Sequence, residues 1–185
     1  MARPYFYPPF HEGWTYAGAT YAGHSDYSVD WNRRTPGGGW IDDTGDPVLA
    51  SAAGIVDQVE ISNGFVMLAH GAGLMTEYRH MSGITVQVGD AVLRGTRIGS
   101  IGNVAGDGAS FGAHLHSVHW RYGKRIKMRY LGIPIASSVW NSDTKPVGWV
   151  PPEPVMVVGP ARSLGVKELR AYLQRIRTLA DKALT

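Results

Sequence analysis

Glycine and proline interrupt this chain so often that apparent helix is confined to the C-terminal end, from residue 166 on. With 24 Gly and 11 Pro in 185 residues, the apolar runs between them suit short strands joined by tight turns. Segments 48–53, 54–61, 65–70, 75–80, 84–88, 91–94 and 97–101 fit that description. Asn63-Gly64 reads as a two-residue hairpin turn, and Gly89-Asp90 and Gly95 mark further turns. Upstream, residues 24–32 are strand-like, with Tyr27, Val29 and Trp31 alternating against Ser28 and Asp30. Residues 33–46, holding Gly37-Gly38-Gly39, read as loop. The expected fold is mainly β: an antiparallel, hairpin-rich sheet core followed by a C-terminal α-helix.

Composition narrows the chemistry. A hydrophobic content of 44% with 18% charged residues describes a folded globular chain. The net charge of +3 suits an anionic polymer such as a cell wall, without selecting one. No cysteine is present. Disulfides, thiolate metal sites and cysteine nucleophiles are excluded together, so any metal must rest on histidine and carboxylate.

The run 112–120, Gly-Ala-His-Leu-His-Ser-Val-His-Trp, carries the strongest chemical signal. In a strand, side chains two apart share a face, so His114 and His116 project together. One imidazole could grip a metal while the other stands beside whatever that metal activates. A catalytic zinc typically takes three protein ligands and leaves a position for water. Without cysteine the natural set is two histidines and a carboxylate. His24 and Asp30 lie near a strand start and His116 completes such a set, while His80 adds a fourth imidazole at a strand end.

From Gly23 to Trp120 the chain resembles the lysostaphin-like (LytM-type) zinc endopeptidases that cut peptidoglycan peptides. Gly112-Ala113-His114-Leu115-His116 is similar to the family's G-x-H-L-H signature. Residues 78–92, opening Tyr78-Arg79-His80-Met81, resemble its Y-x-H-L-x…V-x-x-G-D-x-V stretch. Residues 94–102 and 48–56 match its G-x-x-I-G-x-x-G and V-x-A…G-x-V pieces. The resemblance implies one zinc held by His24, Asp30 and His116, with His80 and His114 as paired catalytic imidazoles. It departs from the family at the first pair, usually H-x-x-x-D, where this chain has Ser28. Asp30 is preferred as the carboxylate because Val29-Asp30-Trp31 keeps the apolar-Asp-apolar context, with Asp26 as the alternative. The longer gap implies an inserted bulge or turn.

The expected organisation is an N-terminal arm (1–23), a zinc metallopeptidase domain (24–150), a proline-rich linker (151–165) and an amphipathic helix (166–185). That helix is a candidate contact for a virion or an oligomer. Residues 1–10 are aromatic and proline-broken and lack the apolar centre of a secretory leader. No stretch reaches the ~20 apolar residues of a membrane span. With the wall-cutting resemblance, these features imply a phage endolysin or tail-borne lysin acting on the bacterial cell wall, with antimicrobial effect. The expected partner is a peptidoglycan peptide, with no nucleic acid. The rival classes are a non-catalytic wall-binding or regulatory domain of the same fold and a structural phage-tail component. His11, His70 and His119 read as packing or surface histidines, and Trp40 as a groove residue.

Overall fold

A computed structural model describes residues 6–11, 14–19, 27–35, 37–104, 112–130, 133–134 and 139–141. The linker and helix expected over 151–185 lie outside these residues, as do His24 and Asp26. In chain order the strands are β1 (Thr15–Ala19), β2 (Ser28–Arg34), β3 (Pro47–Leu49), β4 (Gly54–Glu60), β5 (Phe65–Gly71), β6 (Leu74–Arg79) and β7 (Met81–Ser82). They continue as β8 (Ala91–Val92), β9 (Arg97–Ile101), β10 (Leu115–Arg121), β11 (Lys124–Ile126), β12 (Arg129–Tyr130), β13 (Ile133–Pro134) and β14 (Val139–Asn141). The large sheet runs β14-β1-β2-β10-β6-β5-β4-β8, with β11 folded back on β10. A smaller sheet, β3-β9-β7, stands beside it. Every pairing is antiparallel. The mainly β, antiparallel expectation holds.

Alternation along the strands divides the sheet into two faces. Leu115, Ser117 and His119 of β10 share one face with Trp31 of β2, and this face packs the core. Trp31 is fully buried, and its indole Nε1 donates to Ser117 Oγ at 2.8 Å. Phe10 stacks on Tyr16 and meets Trp31 edge-on, and Tyr130 packs against Trp31 with their rings tilted. Burying aromatic rings of this size is the largest single hydrophobic contribution a β domain can collect.

Three local expectations change. The segment expected as a bare arm contains a strand, because β1 forms within it and pairs with β2 and β14. Phe6 and Phe10 are buried in the core, and Tyr7 N–H and Pro9 C=O bond to Ser51 and Leu49 at 2.9 Å. Residues 84–88 form no strand. Ile84 and Val86 pack on the core, but Val88 is exposed and Asp90 Oδ2 accepts the Gln87 N–H. Their alternation is that of a half-buried crossing loop. The β4–β5 connection spans four residues, with a 3₁₀ turn over Ile61–Asn63 closed by Gly64 at φ +56°. Asn63 Nδ2 donates to Glu60 Oε2 at 2.6 Å across this turn, which is two residues longer than the expected hairpin turn.

Beneath the core face lies a buried polar chain. His70 Nδ1–H donates to Ala53 C=O at 2.9 Å, and its Nε2 lies 2.8 Å from Thr76 Oγ1. Thr76 Oγ1 in turn is 3.0 Å from the Tyr78 hydroxyl, which accepts Ser51 N–H. Nearby His119 is buried under Phe6 and Tyr130, and its Nε2 has no hydrogen-bond partner among the described residues. Burial pushes His70 down to about 4 and His119 down to about 3.

Below pH 6.5 the unfolded chain therefore binds protons that these native rings refuse, and stability falls as pH drops from 6.5 toward 4. Asp43, pushed up to about 6 by burial, acts in the opposite sense between its two values. Two histidines outweigh one carboxyl. Thermal melting from pH 7 to pH 4.5 should show a falling midpoint, and a flat profile would contradict the buried-neutral assignment.

Candidate active site

The site forms where β10 runs between β2 and β6. His116 pairs in register with Asp30 on one side and with Arg79 on the other. In-register residues of adjacent strands share a face, so these three side chains project together from the face opposite Trp31. Asp30 is buried, and its Oδ1 lies 2.7 Å from His116 Nδ1. Its second oxygen, Oδ2, is 3.8 Å from His114 Nε2. The backbone entering β10 is fixed from β2, because Asn32 Nδ2 donates to Ala113 C=O at 2.9 Å. His114 itself bridges to Gly102, and its Nδ1–H donates to Gly112 C=O at 2.8 Å.

His80 reaches this cluster by a local distortion. In β6, Tyr78 points into the core and Arg79 to the site face, so a continued strand would bury His80 beside Tyr78. Instead His80 adopts φ +63°. That left-handed conformation is costly for a residue with a Cβ. It ends β6 and swings the ring to 4.7 Å from His114 and 5.8 Å from His116 between centroids. The turn is held by Met81 N–H to Gly64 C=O at 3.0 Å and Gly102 N–H to His80 C=O at 2.9 Å. His80 Nδ1–H donates to Val104 C=O at 3.0 Å. A carbonyl only accepts, so Nδ1 carries the hydrogen. Burial lowers the proton affinity of His80, the Val104 bond works against this, and the neighbouring imidazoles add to the depression.

Four of the five residues singled out from sequence thus lie together: Asp30, His80, His114 and His116. His24 lies outside the described residues. The donors suit zinc, which accepts imidazole nitrogen and carboxylate oxygen, and Asp30 and His116 already face each other. Among the described residues no group of three His, Asp or Glu side chains could hold an ion without a further donor. His70 and His119 belong to the core face and not to the site. Trp40 is 63% exposed, with the Arg34 guanidinium over its ring. Sequence reasoning missed Arg79. Its signal was the charge in the open position between Tyr78 and His80.

The antiparallel sheet thus brings the buried Asp30, paired with a half-buried His116, beside two further imidazoles. The chain belongs to peptidase family M23, whose model matches residues 35–128, and this is the lysostaphin-like (LytM-type) family it resembles. The match takes in His80, His114 and His116 and begins after Asp30. The chain is 38% identical over 98 residues to the peptidoglycan DD-endopeptidase ShyA of Vibrio cholerae, covering 51% of this chain and 22% of that protein. It is 37% identical over 102 residues to an uncharacterized metalloprotease of Haemophilus influenzae, covering 53% and 21%. The chain thus spans about a fifth of the length of these curated relatives. In fold it is similar to the M23 metalloprotease pseudoalterin from the deep sea, with a TM-score of 0.57 at 23% identity, covering 74% of this chain and 86% of that one. It is also similar to a putative M23 peptidase from Pseudomonas aeruginosa, with a TM-score of 0.51 at 24% identity over 68% and 50% of the two chains.

Gly64 supports the left-handed His80 turn. A Cβ there would collide with the carbonyl oxygen and amide nitrogen of Met81, at a φ that already disfavours one. Gly64→Ala should cost roughly 1–3 kcal/mol in thermal or denaturant unfolding. An unchanged midpoint would remove Gly64 from the support of the site.

Proposed function

We propose that this chain is a zinc-dependent endopeptidase hydrolysing peptide bonds of bacterial peptidoglycan. The observation that carries the reading is the pairing of buried Asp30 with His116, with His80 and His114 packed beside it, in a chain of peptidase family M23. The curated relative from Vibrio cholerae supports peptidoglycan as the substrate. His24, Asp30 and His116 would hold the metal. When bound, zinc polarises the scissile carbonyl and brings the pKa of a water from ~15.7 toward ~7.

The remaining steps belong to the protein. His80 has Nδ1–H committed to Val104 C=O, so its neutral ring takes a proton at Nε2. Burial lowers the proton affinity of that ring, which favours its neutral form. His114 is fixed in the same tautomer by Gly112 C=O, which leaves Nε2 on the Asp30 side. Two imidazoles in contact, one accepting and one returning a proton, can serve nucleophile and leaving amine without a glutamate base. A wall-binding domain without activity would have no use for a strained His80 held beside His114.

Metal analysis and digestion of purified peptidoglycan, with mass spectrometry of the released fragments, test this together. His116→Ala should lose zinc. His80→Ala should retain zinc and lose about 100-fold or more in turnover, the size of a general acid–base contribution. Full cleavage by the metal-stripped protein, or by His80→Ala, would overturn the assignment.

A further inference from the structure

Arg79 occupies the position next to His80 and directly across from His116. Side chains paired this way start about 5 Å apart at Cβ, so the guanidinium stands at the edge of the imidazole cluster. Its Nε donates to Glu77 Oε1, and its plane lies over the Phe65 ring, 4.7 Å from the centroid. Glu77 is only 1% exposed, and its other oxygen accepts the indole N–H of Trp120 at 2.7 Å. A buried carboxylate with both oxygens engaged cannot move, so it fixes the guanidinium in turn. Among the described residues the end-on nitrogens Nη1 and Nη2 of Arg79 have no hydrogen-bond partner. The side chain is 42% exposed.

A planar cationic fork, held rigid from behind and open in front, matches a carboxylate through two parallel hydrogen bonds. We propose that Arg79 is a specificity residue that binds a carboxylate on the peptide substrate, with Glu77 and Trp120 positioning it. The inference rests on the peptidase reading above and adds the charge of the group recognised beside the scissile bond.

The test uses two peptidoglycan peptides identical except that a carboxyl adjoining the cleaved bond is free in one and amidated in the other. The zinc-loaded wild type should favour the carboxylate by roughly 10-fold or more in kcat/KM, the size of a charge-assisted hydrogen bond. Arg79→Gln alone leaves Glu77 buried without its cation. The double variant Glu77→Gln/Arg79→Gln removes both charges and keeps an acceptor for Trp120. It should bring the ratio close to one, chiefly through KM, and Arg79→Lys should retain part of the preference. A purely structural Arg79 would shift the melting midpoint and leave the ratio unchanged. Equal cleavage of both peptides by the wild type, or an undiminished preference in the double variant, overturns this inference and leaves the peptidase standing. No cleavage of either peptide removes the peptidase reading and this inference with it.

Discussion

The pairing of β10 between β2 and β6 governs everything at this site. Side chains in a sheet alternate with a period of two, so a one-residue slip of β10 would send His116 into the core and Ser117 to the surface. The register is pinned from the buried side: Trp31 N–H reaches Ser117 Oγ only when His116 stands opposite Asp30. A hydrophobic anchor on one face therefore sets polar geometry on the other. The face that carries the candidate site inherits its accuracy from the packing of an indole.

Strand-borne features were the ones legible in the sequence. Segments near 54–60, 65–71, 74–79, 97–101 and 115–121 are apolar runs bounded by glycine or turn residues, and they form β4, β5, β6, β9 and β10. The two-residue spacing of His114 and His116 likewise carries its meaning locally. β1 was hidden because Thr-Tyr-Ala-Gly-Ala has little strand character of its own. Gly18 sits there because a Cβ would press within 2.7 Å of Val29 and 2.9 Å of Trp31, a tertiary demand that no local pattern announces. Residues 84–88 mislead in the opposite way, since alternation reports burial on one side whether or not a neighbouring strand exists.

The candidate site shows the same division. Asp30, His80, His114 and His116 were visible through residue type, spacing and resemblance. The route by which His80 arrives was not, because alternation assigns it to the core face with Tyr78 and only its left-handed backbone brings it round. Local rules fail where the chain is strained, and strain of this kind concentrates where geometry matters more than stability. Arg79 escaped for another reason. Its significance depends on Glu77 and Trp120, the latter on a different strand, and a lone arginine in a sequence looks like any solvated charge.

Phe6 and Phe10 reach the interior from a segment that precedes residue 35, where the family match begins. Trp31 and Tyr16, which Phe10 covers, precede it too. The recognisable module and the self-sufficient folding unit are therefore different objects in this protein. Anyone grafting this domain onto another protein should treat the leading aromatics as part of the cargo, since a cut at the motif boundary would open the hydrophobic interior to solvent.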